Sequence, residues 1–385
     1  MKMFGKIVLS CIFSVVVSAS SRAQEPIVIQ KAASHLIPVS IVGFTGEAQS
    51  VLTFDLSVLG IVTQGEPEYI ISGKSDGHVE GSVTMPGSVQ TILSPRAYSG
   101  GSIRSQAHAF ANDIVKALRQ TSPIFQTKIA FRLERGVSTE ICVSDFDGFN
   151  PVVVTHDNAP VAYPSWMPGS RTLFYTSWMR GDTRIYEHNL STGSRGVFAG
   201  YPGSSFSAEV SPDRTKVAMI LSKGGSPNLY VADINGGNLR QLTMTRDEDS
   251  SPCWSADSRE ICFVCRSGRA ILEKISVDGG ESTRLPVGGM VGANLTSPDW
   301  SPDGTKIAFT SGSRPFNICV MSAAGGDAEA LVAGEDPSWA PNSRTIIFTQ
   351  RRPGKRVLCL LDVPTKHVKD VRTITGSCSE PSWAR

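Results

Sequence analysis

Residues 297–311 read SPDWSPDGTKIAFTS. A short segment ends at Trp300, a tight turn occupies residues 301–304, and an alternating apolar run begins at Ile307. Proline presets φ at the second position of a turn, aspartate bonds back to the backbone, and glycine tolerates positive φ. The stretch therefore predicts a β-hairpin with a Ser-Pro-Asp-Gly turn.

The same stretch recurs through the second part of the chain. Positions equivalent to Trp300 follow one another at spacings of 44, 44, 46, 39 and 44 residues, and they are Trp166, Val210, Trp254, Trp300, Trp339 and Trp383. A second turn signal with glycine, such as Asp278-Gly279, repeats in phase with the first. A period of this length with four short strands per unit is typical of a β-propeller blade. A generic all-β array is the alternative, but it does not explain two turn signals on one period.

The number of blades follows from the two ends of the repeat region. Strands predicted at 129–132, 139–143 and 152–155 have no Trp-bearing strand before them, and the Trp383 strand has no blade after it. Joining them completes one blade and closes the ring, which removes exposed sheet edges. We therefore predict a six-bladed β-propeller over residues 126–385, closed by the C-terminal strand.

Residues 1–23 have the pattern of a secretory signal peptide. Lys2 and Lys6 precede an apolar run at 7–17, and small residues occupy the −3 and −1 positions before the predicted cleavage after Ala23. A lipoprotein cleavage site at Cys11 is the alternative, but the apolar run continues through Cys11. The run is too short to span a bilayer, and no later stretch is long and apolar enough to do so. We expect the mature protein to be exported.

Residues 24–125 carry no repeat and predict a small α/β domain. Strands are expected at 38–44, 68–72, 78–83 and 89–94, and helices at 47–59 and 102–120. The second helix has the clearer apolar stripe, and Ser122-Pro123 stops it. The first residues after cleavage form either an edge strand or a free tail. Together with the propeller this gives two domains, which suits the length of 385 residues.

Charge and cysteine usage exclude several classes of function. The chain has 37 basic and 35 acidic residues. Loss of Lys2, Lys6 and Arg22 with the signal peptide leaves 34 basic residues and a net charge of −1. This balance predicts no binding to nucleic acid or to anionic membranes. Seven cysteines remain after cleavage, and Cys262 and Cys265 are spaced like a metal or redox pair. On a strand, however, an offset of three points to opposite faces, which favours buried core thiols.

No catalytic or metal-binding motif stands out. The chain has no Gly-x-Ser-x-Gly elbow, its six histidines are scattered, and no phosphate-binding loop follows a strand. His108 lies in the long predicted helix, where a packing or capping role is expected. We predict no catalytic residue, no metal and no cofactor.

The chain resembles the TolB family of periplasmic propeller proteins of the Tol-Pal system. The repeated Pro-x-Trp-Ser-Pro-Asp-Gly motif is shared with many propellers, whereas the stretch at 103–131, from Ile103-Arg104-Ser105-Gln106-Ala107-His108 to Ile129-Ala130-Phe131, is more specific. It resembles the family's helix and its junction with the first blade. Of the family's Asp-Leu-x-x-Ser-Gly-x-Phe segment only Asp55, Leu56 and Gly60 remain.

The resemblance implies a non-enzymatic role with two protein partners. Family members bind the peptidoglycan-associated lipoprotein Pal at one face of the propeller, and their mature N-terminus communicates with the inner-membrane protein TolA. The system supports outer-membrane constriction at division and envelope integrity. A monomer is expected, and the N-terminal partner-binding segment corresponds here to Gln24, Glu25, Pro26, Ile27, Val28 and Ile29.

We expect a partner to dock on the residues that lie shortly before each Trp-equivalent position. They should rim the central channel, with Tyr163 and Phe206 as aromatic anchors. The set is Ala162, Tyr163, Phe206, Ser207, Ser250, Ser251, Thr296, Ser297, Glu335, Asp336, Ser379 and Glu380. The alternative function is an exported propeller enzyme or glycan-binding protein with its site in the channel. Such a site needs clustered carboxylates, and Glu335, Asp336 and Glu380 come nearest to this.

Overall fold

The structure is a computed structural model that describes residues 34–88, 91–136, 138–289, 293–312, 315–371 and 373–385. The predicted signal peptide and the segment 24–29 lie outside the described residues. Within them, neither the length nor the hydropathy of any helix suffices for a membrane crossing.

The first part of the described chain is a five-stranded sheet with two helices. The sheet order is β2-β1-β3-β4-β5, in which β1 pairs in parallel with β2 and β3, and the remaining neighbours are antiparallel. The elements are β1 Ile37–Val42, α1 Gly46–Val58, β2 Ile61–Val62, β3 Tyr69–Lys74, β4 Val79–Thr84, β5 Thr91–Tyr98 and α2 Ile103–Arg119. The predicted α/β region is confirmed; β5 lies further along the chain than expected.

Local sequence explains where the long helix begins and ends. The Ser102 hydroxyl accepts the backbone N–H of Ser105 at 3.2 Å, which caps the N-terminus. At the other end Gln120 is left-handed with φ 52°, and Pro123 follows shortly after. The apolar stripe of α2 is buried, and the Phe110 ring lies 5.7 Å from that of Phe44. The helix therefore covers the sheet as its 3.6-residue period predicts.

Six four-stranded sheets follow, and we number the blades by their order around the ring. Blade 1 combines both ends of the repeat region in the order β31-β6-β7-β8. Its strands are β31 Ser377–Trp383, β6 Lys128–Arg135, β7 Ser138–Asp145 and β8 Val152–Val153. Blade 2 consists of β9 Val161–Trp166, β10 Thr172–Ser177, β11 Arg184–Asn189 and β12 Arg195–Ala199. Blade 3 consists of β13 Ser205–Val210, β14 Lys216–Leu221, β15 Asn228–Asp233 and β16 Arg240–Gln241.

The remaining blades have the same antiparallel plan. Blade 4 consists of β17 Glu248–Trp254, β18 Glu260–Ser267, β19 Arg269–Ser276 and β20 Thr283–Arg284. Blade 5 consists of β22 Leu295–Trp300, β23 Lys306–Ser311, β24 Asn317–Ser322 and β26 Glu329–Ala333. Blade 6 consists of β27 Glu335–Trp339, β28 Thr345–Arg352, β29 Lys355–Asp362 and β30 His367–Asp370. Between blades 4 and 5, β21 Val287–Gly288 pairs in parallel with β25 Gly326–Asp327.

The C-terminal strand closes the ring as predicted. β31 pairs with β6, with Trp383 opposite Ile129 and Ser377 opposite Glu134. The strand that completes blade 1 therefore comes from the other end of the repeat region. Closure pairs backbone groups that two open edges would otherwise expose.

Some of the repeated tryptophans connect neighbouring blades. The indole N–H of Trp254 donates to the Glu209 carbonyl at 2.8 Å, and that of Trp339 donates to the Asp299 carbonyl at 3.1 Å. Each donor lies one blade further along than its acceptor. A buried indole needs such a partner because an unpaired polar group in the core costs free energy.

A continuous hydrophobic core joins the α/β region to blades 1 and 6. Phe125, Phe146 and Trp383 belong to the same buried cluster as the sheet and helices of the first region. At the end of α2, Arg119 donates to the backbone carbonyls of Leu59 at 3.1 Å and of Gly60 at 2.9 Å. The predicted boundary at residues 125 and 126 therefore falls within continuously packed structure.

The two cysteines with metal-like spacing point to opposite faces of blade 4. Cys262 belongs to the core between blades 4 and 5, whereas Cys265 belongs to the core between blades 3 and 4. The prediction of separate buried thiols is confirmed, because neighbouring side chains on a strand alternate between faces.

Candidate functional site: the mouth of the central channel

All six inner strands have an irregularity at the same position. The strand pairing shifts three residues before each Trp-equivalent position, and the residue there adopts positive φ between 49° and 56°. These six residues are Tyr163, Ser207, Ser251, Ser297, Asp336 and Glu380. We call them the left-handed ring.

The left-handed ring is energetically unfavourable for the residues that form it. None of them is glycine, and five of the six precede a proline, which disfavours helical backbone angles in the preceding residue. Conformations of this kind each cost about 1–3 kcal/mol and cluster at functional sites. The conformation at every blade turns the bulged residue towards the axis of the ring.

The left-handed ring lines a cavity of about 130 Å³ at one end of the channel. Half of the twelve residues predicted from sequence are therefore brought together there. The other six lie one position earlier and do not line this cavity; they pair with the second strand of their blades. These are Ala162, Phe206, Ser250, Thr296, Glu335 and Ser379.

Two aromatic side chains lie at the mouth on neighbouring blades. The Tyr163 side chain is 42% exposed, and its ring centroid lies 6.3 Å from that of Phe206. Phe206 is half-buried and packs against the core between blades 3 and 4. The pair therefore combines an exposed ring with a ring that the core holds in place.

Acidic side chains face the aromatic pair from blades 6 and 1. Glu380 accepts hydrogen bonds from the Arg132 guanidinium and from the Tyr163 backbone N–H, both at 2.8 Å. Asp336 accepts from the Ser297 hydroxyl at 3.1 Å. Burial, followed by the nearby Glu380 and Glu335 carboxylates, raises the pKa of Asp336 to about 7. The mouth thus combines an aromatic side chain with several carboxylates.

Glu335 is held away from the cavity by two arginines. Its carboxylate lies 2.9 Å from Arg351 and 3.5 Å from Arg356, and its side chain is only 12% exposed. This residue differs from its neighbour Asp336, which lines the cavity. Glu335 pairs with β28, the second strand of blade 6, and its side chain contacts the arginines of that blade.

A second ring of residues, immediately before each Trp-equivalent position, was missed by sequence reasoning. It consists of Ser165, Glu209, Cys253, Asp299, Ser338 and Ser382, and it lines a second cavity of about 150 Å³ deeper in the channel. Five of these residues also line the first cavity. Strand alternation contains part of the signal, because a residue next to a core tryptophan lies on the opposite face of its strand.

Two of the six residues in this second ring are partly buried carboxylates. Glu209 accepts from the Ser165 hydroxyl at 2.7 Å, and burial raises its pKa to about 7. Burial also raises the pKa of Asp299, although the guanidinium of the last residue, Arg385, contacts Asp299 and opposes that shift. Arg385 further donates to the Trp339 and Trp300 carbonyls at 3.2 Å. The C-terminal residue therefore partly fills the deeper end of the channel.

The other candidate residues lie elsewhere. His108 is buried between α1, α2 and blade 1, with its Nδ1 atom 2.7 Å from Asp55 Oδ2. Across the described ranges, no group of three or more His, Cys, Asp or Glu residues is arranged to hold a metal ion. The predicted partner segment from Gln24 to Ile29 lies outside the described residues.

Comparison with known proteins gives consistent matches. The family model described as the TolB beta propeller domain matches residues 115–385. The Tol-Pal system protein TolB of Bordetella pertussis is 31% identical over 294 residues, which cover 74% of this chain and 67% of that protein. The protein of the same name from Bordetella parapertussis is also 31% identical, over 74% of this chain and 66% of its own length. The chain thus spans about two thirds of the length of these relatives.

A solved structure supports the fold over almost the whole chain. The crystal structure of TolB from Acinetobacter baumannii superposes with a TM-score of 0.78 at 21% sequence identity. The match covers 91% of this chain and 98% of that one. The two chains therefore share both the α/β region and the propeller.

Proposed function

Because the chain belongs to the TolB family of β-propeller proteins, we propose that it is a non-enzymatic, periplasmic scaffold of the Tol-Pal system. In this proposal the channel mouth binds Pal and the N-terminal segment 24–29 binds TolA. The protein thereby supports outer-membrane constriction at division and envelope integrity. Export rests on the signal-peptide pattern at residues 1–23.

The observation that carries the Pal proposal is the left-handed ring at the mouth. Six blades hold unfavourable backbone conformations at one concave surface, and a rigid ring positions those residues without further ordering on binding. The exposed Tyr163 ring supplies the kind of aromatic anchor that is enriched at protein interfaces. An acidic rim from Asp336 and Glu380 adds charge selectivity.

Calorimetric titration with the soluble domain of Pal from the same organism tests this site. We expect saturable one-to-one binding that Tyr163→Ala and Phe206→Ala each weaken by about 10-fold or more, as truncation of an anchor does. Val152→Ala, on the outer strand of blade 1 and 58% exposed, is the matched control and should bind normally. If neither aromatic change weakens binding, the family role stands but the Pal site must lie elsewhere on the protein. An absence of binding would overturn the scaffold proposal.

The TolA proposal requires a separate test. Deletion of residues 24–29 should abolish binding of the periplasmic part of TolA while Pal binding persists. The segment precedes β1 in the sequence, whereas the described channel mouth is built from the inner strands of the blades, so we expect the two effects to separate. TolA binding that survives the deletion would contradict the proposed N-terminal site.

Two of the carboxylates in or near the mouth have arginine partners, which favours a scaffold over an enzyme. Glu380 is paired with Arg132, and Glu335 is paired with Arg351 and Arg356. A glycan- or peptide-hydrolysing site would need Asp336 and Glu380 as acid and base. We expect no hydrolysis of either substrate class. Turnover that Asp336→Asn and Glu380→Gln both remove would establish the enzyme instead.

A further inference from the structure

Two thiols lie opposite each other in the wall of the channel. Cys253 is in the inner strand β17 of blade 4, Cys262 is in the adjacent strand β18, and the strand register pairs them directly. Both side chains belong to the core between blades 4 and 5. Cys253 also lines both channel cavities.

The strand geometry is compatible with a bond between the two sulfurs. Directly opposed residues of an antiparallel pair have Cα atoms about 4.5–5.5 Å apart and side chains on the same face. Disulfides bridge Cα separations of about 4.4–6.8 Å. The Cys253–Cys262 pair therefore needs no movement of the strands relative to each other to be linked.

The strand register places no other pair of the described cysteines opposite each other. Cys142 and Cys378 lie on β7 and β31 with β6 between them, so their strands are about 9–10 Å apart. Cys265 faces the opposite side of blade 4. Cys319 shares the core of Cys262 but pairs with Phe309 and Ala330 on its own blade. Among the described residues, Cys253 and Cys262 are the only cysteines that a strand pairing places opposite each other.

Burial determines when the bond can form. Cys253 is 5% exposed and Cys262 is fully buried. Burial and the contact with the Cys262 thiol raise the pKa of Cys253 well above its usual value, so the reactive thiolate is scarce once the blade has packed. The hairpin must therefore be oxidised while it is still accessible, during folding.

We propose that Cys253 and Cys262 form a cross-strand disulfide in the channel wall when the chain folds in an oxidising compartment. The proposal rests on the proposed export to the periplasm, where disulfides persist. A thiolate of one cysteine attacks the sulfur of an oxidising protein or low-molecular-weight disulfide. The second thiolate then displaces that carrier. The two cysteines lose two protons and two electrons, and the carrier leaves as two thiols.

The bond would fix the hairpin of β17 and β18. This hairpin carries Ser251 of the left-handed ring and Cys253 of the second ring. The bond links β17 and β18 across the turn at 255–258, between the left-handed Ser251 and the tryptophan Trp254. A cross-link of this kind restricts the unfolded chain and prevents sliding of the strands. The disulfide is thus expected to stabilise the channel wall of blade 4.

Refolding of the purified protein tests the proposal independently of export. The reduced, unfolded chain is refolded in a buffer of reduced and oxidised glutathione, denatured in acid, alkylated and digested with trypsin. Cleavage after Arg259 separates Cys253 from a peptide that contains Cys262 and Cys265. We expect these two peptides to be joined by a disulfide in most molecules. Cys253 recovered as an alkylated free thiol would overturn the proposal.

Two variants assign the bond within the joined peptides. Cys265→Ala should leave the joined pair intact, whereas Cys262→Ala should abolish it. Urea unfolding gives a second readout. The oxidised wild type and Cys265→Ala should unfold at higher urea than their reduced forms, and Cys262→Ala should show no such difference. A joined pair that survives Cys262→Ala would also refute the assignment. If Cys262→Ala does not fold, the Cys265→Ala variant decides, because Cys262 is then the one cysteine left in the second peptide, and loss of the joined pair in Cys265→Ala would refute the assignment.

Discussion

His108 Nδ1 lies 2.7 Å from Asp55 Oδ2 in the core that joins the α/β region to the propeller. The Asp55 side chain is fully buried, and its other carboxylate oxygen has no hydrogen-bond partner within the described residues. Asp147 and Arg104 complete the group of charges that face this carboxyl. A titratable pair is therefore located where the two parts of the molecule meet.

The Asp55 carboxyl should make stability depend on pH. Burial raises its pKa from 3.8 to about 7, although the His108 hydrogen bond opposes the shift. The folded state thus favours the protonated form, and stability is lost as pH rises from about 4 to 7, by about 3–4 kcal/mol for this group. Asp55→Asn should flatten the free energy of unfolding over this range, measured by urea titration.

A surface carboxylate provides the control for that experiment. Asp182 is exposed and paired with Arg184, and its pKa is lowered. Asp182→Asn should therefore leave the pH profile above about pH 5 unchanged. Equal slopes for wild type and Asp55→Asn would contradict the role assigned to Asp55.

Asp336 should destabilise the protein above neutral pH. Its raised pKa reflects burial and two neighbouring carboxylates, so ionisation costs free energy in the folded state. Asp336→Asn keeps an amide that tolerates φ of 56° and should raise the unfolding free energy at pH 8 by about 1 kcal/mol. Glu380→Gln should have the opposite sign because it breaks the pair with Arg132. A loss of stability in Asp336→Asn would refute this account.

The left-handed ring should favour glycine over branched residues. Ser251 has φ of 49° and precedes Pro252. We expect Ser251→Val to lower the unfolding free energy by about 1–2 kcal/mol, whereas Ser251→Gly should be neutral or stabilising. Ser250→Val, one residue earlier in regular strand pairing with Val264, is the control and should change little. Similar losses at both positions would show that the backbone conformation is not responsible.

A buried ion pair next to the junction should be costly to break. Arg344 makes a bidentate contact with Asp362 at 2.5 and 2.8 Å, and the Asp362 side chain is fully buried. Arg344→Ala leaves that carboxylate unpaired and should cost about 3–5 kcal/mol in urea unfolding. Arg184→Ala breaks the exposed pair with Asp182 and should cost far less, because solvent screens that pair. Comparable losses in the two variants would contradict the difference in burial.

The sequence predicted the architecture because its signals are local. The turn chemistry at 301–304 and the alternation after it require only neighbouring residues, and six repetitions fix the blade period. The predicted closure followed from two incomplete parts: the first blade lacks a Trp-bearing strand, and the Trp383 strand has no blade after it. The pairing of Trp383 with Ile129 confirms that they join. The end of the long helix was likewise predicted from Ser122-Pro123, which follow shortly after its last residue, Arg119.

Local sequence patterns did not predict which side chains line the channel. Each pair before a Trp position was predicted to rim the channel, but a bulge at every inner strand separates Asp336, which lines the cavity, from Glu335, which pairs with arginines of its own blade. Glu209 and Asp299 were missed although they belong to the deeper ring. A bulge reverses the alternation on which such a prediction depends.

Turn residues and apolar periodicity act over a few positions, so they were sufficient to predict the fold class, the number of blades and the strand that closes the ring. The side chains that meet became known from the folded structure: Asp55 with His108, Arg385 with Asp299, and Cys253 with Cys262. The first two contacts join residues 53 and 86 positions apart along the chain. Their burial and charge environment exist only once the blades have closed around the axis, because no local pattern encodes which distant group will share a desolvated site.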